Sequence, residues 1–215
     1  MQRPMETSTS HLILHSGGLR SIIATAELLQ HTHQSKIAFL FINDGRPSTE
    51  QRLNKLKKQA DYFHIEHIHV INVPHLYPLG KQTPQETYAN LLHSQLLSLA
   101  SLQAIELNAN FLIWPALADN QTQAVAKITQ QTLILSETLS LGQESDHDLE
   151  IQTPLLTLTD AQAIELGAHL DIDWTLAWTC SSVLTTPCKQ CPPCKRRARA
   201  FRQAHVVDSL VLTPA

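Results

Sequence analysis

All four cysteines of the chain, Cys180, Cys188, Cys191 and Cys194, fall within fifteen residues. Scattered pairs would point to disulfides, whereas this clustering points to a metal. The spacing Cys-x7-Cys-x2-Cys-x2-Cys lets four thiolates on tight turns close a tetrahedron at Zn–S distances of about 2.3 Å. Pro187, Pro192 and Pro193 stiffen the knuckle. Four protein ligands leave no position for water, so a Zn2+ held here is structural and not catalytic. The alternative is a set of buried or redox-active cysteines.

A second chemistry-bearing segment is Ser16-Gly17-Gly18-Leu19-Arg20-Ser21. Glycines permit close backbone approach, and a helix starting here would offer free N–H groups with the positive end of its dipole. Phosphate is the natural guest. There is no Gly-Lys-Ser/Thr, so this is not the loop whose lysine reaches the terminal phosphates. Taken alone, the segment reads equally well as an ordinary strand-to-helix turn. His64, His67 and His69 could suggest a second metal, but His67 and His69 lie on one face of a predicted strand with no acidic partner beside them, and a solvated or half-buried strand face is the reading favoured. Lys189, Lys195, Arg196, Arg197, Arg199 and Arg202 concentrate six basic residues near the C-terminus. Without interleaved aromatics they read as a solvated helix face or as a shield for a zinc tetrathiolate.

These segments need elements to hold them, and the composition allows a core. The 215 residues carry 43% hydrophobic and 16% charged side chains at a net charge of −3, which excludes wholesale disorder. A chain this long buries roughly 70% of its unfolded surface. No apolar run approaches the ~18 residues of a membrane span, and the polar start lacks a signal-peptide core, so a cytosolic chain is expected. Strands are predicted over His11–His15, Ile37–Ile42, His67–Val73 and Phe111–Trp114, with a further extended segment over Leu149–Pro154. Helices are predicted over Arg20–Gln30, Glu50–Phe63, Thr87–Asn108, Asp119–Leu141, Asp160–Leu170 (capped by Thr159 or Asp160) and Cys194–Gln203. This alternation predicts a doubly wound α/β fold with a parallel sheet of about five strands and ligands at its C-terminal edge. The expected organisation is a flexible tail over 1–10, a nucleotide-binding α/β domain over 11–150, and a helical, cysteine-bearing segment over 151–215 packed into the same domain.

Three segments in order carry a resemblance. They are Ser16-Gly17-Gly18-x-x-Ser21, Thr153-Pro154-Leu155-Leu156-x-Leu158-Thr159-x-Ala161, and Trp178-Thr179-Cys180 through Cys188, Cys191 and Cys194 to Arg197, Ala200 and Phe201. Together they resemble the 7-cyano-7-deazaguanine synthases, within the PP-loop ATP pyrophosphatases, from about Leu12 to Ala204. The resemblance implies an adenine-nucleotide α-hydrolase-like fold and a zinc knuckle. It implies ATP-dependent adenylation of 7-carboxy-7-deazaguanine, displacement of AMP by ammonia, and a second activation that leaves the nitrile used for queuosine. ATP, Mg2+ and Zn2+ are the implied cofactors and a homodimer the implied assembly; no membrane or nucleic-acid partner is expected. Carried over by position, His15, Ser16, Gly17, Gly18, Leu19, Arg20, Ser21 and Asn43 would hold the nucleotide, with Ser16, Arg20 and Ser21 at the reacting phosphate. Asn90 and Asp119 would meet the acceptor, and the four cysteines the zinc.

The chain also departs from that pattern. The family loop reads Ser-Gly-Gly-x-Asp-Ser, and here Arg20 stands in the aspartate position. Arginine can neutralise a phosphate but cannot bind a metal ion. Thr87-Tyr88-Ala89-Asn90 keeps only the asparagine of the family's Pro-Gly-Arg-Asn, and Ala118-Asp119-Asn120-Gln121 replaces a longer substrate loop. Two rival readings stand beside the synthase: a homologue that keeps nucleotide and zinc binding but has lost the deazaguanine chemistry, and a nucleic-acid module built on Cys188 to Arg202.

Overall fold

The computed structural model describes residues 9–77, 85–142 and 149–212. The polar tail over 1–8 and most of the loop after Leu141 lie outside them. Five parallel strands, β1 (His11–Leu14), β2 (Ile37–Asn43), β3 (His67–Asn72), β4 (Phe111–Ile113) and β5 (Glu150–Gln152), form one sheet in the order β3-β2-β1-β4-β5. Each strand is followed by a helix: α1 (Leu19–Leu28), α2 (Thr49–Phe63), α3 (Gln85–Glu106), α4 (Thr122–Gly142) and α5 (Asp160–His169). Then come α6 (Pro192–Gln203) and a single turn, α7 (Ser209–Leu212), which the sequence did not signal.

The unbroken apolar run of β2 is explained by helices on both faces of the sheet. Ile37, Phe39 and Phe41, with Ile13 of β1, pack under Ile22 and Ile23 of α1, Leu56 of α2, Ile164 of α5 and Phe201 of α6. Ala38, Leu40 and Ile42, with Leu12, pack against Leu97, Ala100 and Ala104 of α3 and reach Leu135 and Leu139 of α4. Close approach of α1 and α5 requires Gly167, where a Cβ would lie 2.3 Å from the Trp174 ring and 3.1 Å from Ile23. Edge strand β3 leaves His67 exposed and His69 half-buried. Among the described residues the four cysteines are the only group of three or more such side chains placed to hold a metal ion; His64 stands apart from the strand, at the C-cap of α2 in left-handed backbone (φ 55°). No described helix is long and apolar enough to cross a membrane.

Helices α1 and α2 begin one residue earlier than the sequence predicts and α3 two residues earlier; at α4 and α6 the shift has a visible cause. Helix α4 begins at Thr122 and not at Asp119, because Asp119 and Asn120 take left-handed backbone (φ 52° and 57°), which interrupts a helix. Helix α6 begins at Pro192 and not at Cys194, with Cys191 at its N-cap; proline suits a first turn, where no N–H is needed. At α5 the cap is Thr159. Its hydroxyl accepts from the Gln162 N–H at 3.1 Å while the Gln162 side chain accepts from the Thr159 N–H at 2.9 Å, a reciprocal capping box.

Candidate active site and cysteine centre

Strand β1 sits where the order reverses, with β2 on one side and β4 on the other. The chains leaving β1 and β4 diverge there and open a crevice at the strands' C-terminal ends. A cavity of about 550 Å3 occupies it, lined by Ser16, Gly18, Leu19 and Arg20 after β1, Leu117 after β4, and Trp178, Cys180 and Pro192 from the C-terminal segment.

The loop after β1 is built to present backbone donors. The Ser21 hydroxyl accepts from the Ser16 N–H at 3.0 Å and pairs with the Ser16 hydroxyl at 2.9 Å, closing the turn on itself. Gly17 has φ 69°, and a Cβ there would lie 2.1 Å from the Arg52 carbonyl oxygen. No side chain caps α1 at Gly18, and its first turn holds no acid. Its leading N–H groups therefore remain for a ligand in the cavity.

The residues named from sequence separate into two groups. Ser16, Gly18, Leu19 and Arg20 line the cavity. Ser21 and Gly17 instead shape the loop behind it. His15 is buried beneath, stacked on Phe39 with ring centroids 4.2 Å apart, and its Nδ1 accepts from the Gly17 N–H at 3.1 Å. Burial, followed by the nearby Arg52 charge, lowers its pKa to about 3 and keeps it neutral and accepting. Asn43 sits outside the cavity lining, donating to Asn72 at 3.0 Å and accepting from the Gly45 N–H at 3.1 Å. Asp119 also lies outside that lining. It accepts from the Asp160 N–H at 3.0 Å and faces Arg199 at 3.6 Å across a neighbouring groove. Asn90 falls within α3, so Thr87 to Asn90 lie inside that helix; the Asn90 side chain is outside the described part.

The sequence reading missed the charges opposite the loop. Arg46, Arg52, Asp160, Arg196 and Arg197 all line the cavity. Arg46 is held by Asp44 at 2.6 Å. Arg52 donates to the Ser16 carbonyl at 2.9 Å; burial and the Arg46 charge lower its pKa to about 10, so it stays cationic at neutral pH. Asp160 receives both Nε and Nη2 of Arg196 and lies 3.5 Å from Arg20. The position of Arg46 and Arg52 after the apolar β2 run was the available clue: residues following a parallel strand reach the ligand edge.

Arg197 corrects the solvated-face reading of α6. It is 4% exposed, donates to the carbonyls of Ala177 (2.7 Å) and Trp174 (2.9 Å), and forms a forked pair with Asp208 (2.6 and 2.7 Å). It anchors the C-terminal segment to the core.

The four cysteine sulfurs all lie within 4.8 Å of one another. N–H groups of Ser182 and Cys188 point at Cys180 Sγ, and that of Cys191 at Cys188 Sγ, each at 3.4 Å. Burial opposes ionisation of Cys191, but hydrogen bonds from Ser181 and Cys194 outweigh it and bring the thiol to about 6; Cys194 is pushed upward by burial and by its sulfur neighbours. Four thiols this close compete for one another's protons, and a bound cation would favour the thiolate at all of them. The donor set therefore fits a soft, four-coordinate metal ion. The centre is tied to the loop, since the Trp178 N–H donates to the Gly17 carbonyl at 2.9 Å.

A profile of the family described as queuosine biosynthesis protein QueC matches residues 83–205. A 7-cyano-7-deazaguanine synthase of Chloroherpeton thalassium is 25% identical over 93% of this chain and 95% of its own length. One from Picrophilus torridus is 27% identical over 94% and 91%. Among solved structures, the U34-tRNA thiolase NcsA of Methanococcus maripaludis aligns with TM-score 0.55 and 15% identity, covering 91% of this chain, which spans 65% of the thiolase. The NH3-dependent NAD synthetase of Campylobacter jejuni aligns with TM-score 0.54 and 11% identity over 97% of this chain. At such identities the two structures bear on the fold alone. The profile spans more than half of the residues and the relatives match end to end, and on this basis the chain belongs to the QueC family of queuosine biosynthesis proteins.

Proposed function

We propose that the chain is an ATP-dependent synthase of the deazaguanine type, which activates the acceptor's carboxylate as its adenylate at the cavity beside Gly18 and Arg20. The observation that carries this reading is the joining of the glycine loop, the start of α1 and a set of arginines in one crevice at the sheet's switch point. Loop N–H groups and the guanidiniums of Arg20, Arg52 and Arg196 would hold the phosphates. The same donors would stabilise charge as it develops on departing pyrophosphate. The apolar side of the crevice, Ile23, Leu117, Ala163 and Ile164, suits a flat heterocycle and excludes water from the adenylate. Calorimetry with ATP, AMP and inorganic pyrophosphate tests the reading: binding of at least one at millimolar concentration or tighter is expected. Absence of binding by all three would leave the loop a simple turn.

For the metal centre we propose one structural Zn2+ per chain, held by Cys180, Cys188, Cys191 and Cys194. It would supply folding energy to residues 181–191, which have no regular secondary structure of their own. Cys191→Ser is expected to lower the zinc content, expose this segment to proteolysis and, through the Trp178 to Gly17 hydrogen bond, weaken pyrophosphate binding. Elemental analysis that finds no metal in protein purified without chelator would refute the assignment.

Mg2+ fits this cavity poorly. It takes oxygen ligands in near-octahedral geometry and is usually recruited through one or two carboxylates. Among the described residues the sole carboxylate lining the cavity is Asp160, and both of its oxygens are engaged by Arg196, with Arg20 beside one of them. Behind the wall, Asp44 gives one oxygen to the Arg46 side chain and the other to its N–H.

A further inference from the structure

We propose that this cavity binds the polyphosphate of its nucleotide without a divalent cation, Arg20, Arg52 and Arg196 supplying the positive charge that a metal ion would otherwise bring. The inference rests on the nucleotide reading above and goes beyond it, because it fixes the ionic form of the ligand.

The argument starts from charge. Arg46 and Arg197 line the cavity but are each matched by an aspartate, Asp44 and Asp208. That leaves three guanidiniums, of Arg20, Arg52 and Arg196, facing Asp160, with Asp119 3.9 Å from Arg196 outside the lining. The excess is positive before the dipole of α1 is counted, and α1 adds to it. Arg52 is fixed by its bond to the Ser16 carbonyl at 2.9 Å and by the Phe41 ring, 5.9 Å from the guanidinium carbon. Arg196 is fixed by its fork onto Asp160. Arg20 is the least tightly held of the three, 3.5 Å from Asp160 with about a third of its side chain exposed. Planar guanidiniums match phosphate oxygens two at a time, and their charge does not depend on recruiting anything from solvent.

The carboxylates point the same way. Asp160, the only carboxylate lining the cavity among the described residues, gives both oxygens to Arg196, so a divalent cation would approach three guanidiniums with no free acid to receive it.

Chelation of ATP by Mg2+ removes two of the ligand's negative charges, so a site of fixed cations should prefer the free nucleotide. The test is calorimetric titration of the whole protein with ATP and with inorganic pyrophosphate, once in excess EDTA and once in millimolar MgCl2. Binding in EDTA is expected to be as tight as in Mg2+ or tighter. Tightening by Mg2+ of tenfold or more, about 1.4 kcal/mol, would overturn the proposal while leaving the nucleotide reading intact. Failure of ATP, AMP and pyrophosphate to bind in either buffer would overturn both. Two variants sharpen the result. Arg20→Gln is expected to weaken pyrophosphate binding in both buffers. Arg20→Asp is expected to weaken it in EDTA by tenfold or more and to regain part of the loss with Mg2+. Thermal melting of each variant confirms that the fold is kept, and unchanged binding by both would also refute the proposal.

Discussion

Nitrile formation from 7-carboxy-7-deazaguanine, ATP and ammonia is expected to run at about 0.1 per second or slower, roughly a hundredfold below the ~10 per second of an ordinary enzyme. The reason is the distinction between holding phosphates and stabilising their reaction. Guanidiniums that neutralise ATP equally before and during attack at the α-phosphorus strengthen binding without raising the rate. The family's aspartate position, occupied here by Arg20, no longer offers a carboxylate to a metal ion at the reacting phosphate. Loss of one such positioned group typically costs ~3 kcal/mol of transition-state stabilisation. Pyrophosphate release and nitrile formation, followed with MgCl2 present, measure the effect. Turnover near ten per second by the unmodified protein would show that Arg20 has been fully accommodated.

The structure also bears on how such a loss could be reversed. Arg20→Asp alone is expected to restore turnover only in part. The change removes the cation that faces Asp160 at 3.5 Å and leaves a second carboxylate on the same side of the cavity, which disfavours the ionised form of both. Asp160 cannot be exchanged to compensate, because both of its oxygens also hold Arg196. Full recovery of turnover by Arg20→Asp alone would mean that the pair with Asp160 does not govern the loop.

Arg197→Ala is expected to cost about 3–5 kcal/mol of stability, read from denaturant unfolding with zinc retained. Removal of this side chain strands the Asp208 carboxylate, which is 10% exposed, and takes donors from the Trp174 and Ala177 carbonyls. It also removes a cation lying 5.2 Å from the centre of the Phe201 ring. Arg197→Lys should rescue little, because an ammonium cannot reproduce the fork onto Asp208 while reaching both carbonyls. Arg199→Ala, two residues along the same helix with over half of its side chain in solvent, is expected to cost under about 1 kcal/mol. A loss of similar size at both positions would show that Arg197 is no anchor.

The contrast between these two arginines marks where the sequence stops being informative. Lys195, Arg196, Arg197 and Arg199 form one basic run, and composition gives each the same solvated reading. Only the packing of α6 against α5 and the Trp174 turn turns Arg197 inward, aims Arg196 at Asp160 and leaves Arg199 at the rim. Spacing along a helix says which residues share a face, but it does not say what the face meets.

What the sequence determined by itself was local or periodic. The tight cysteine spacing brings four sulfurs together with little help from the rest of the fold. The Ser-Gly-Gly turn follows from Gly17, whose left-handed backbone and missing Cβ are properties of one residue. The apolar β2 run announced a strand covered on both faces, since alternate residues had to be buried on either side. Tertiary structure alone decided the electrostatics of the cavity. Arg20 meets Asp160 across 140 positions of chain, and Arg52 meets Ser16 across 36. Such pairings depend on the order of strands in the sheet and on the angle at which α5 and α6 cross its edge. No periodicity encodes either, because a charge's partner is chosen by distance in space, and at these separations that distance is set by the packing of the whole core.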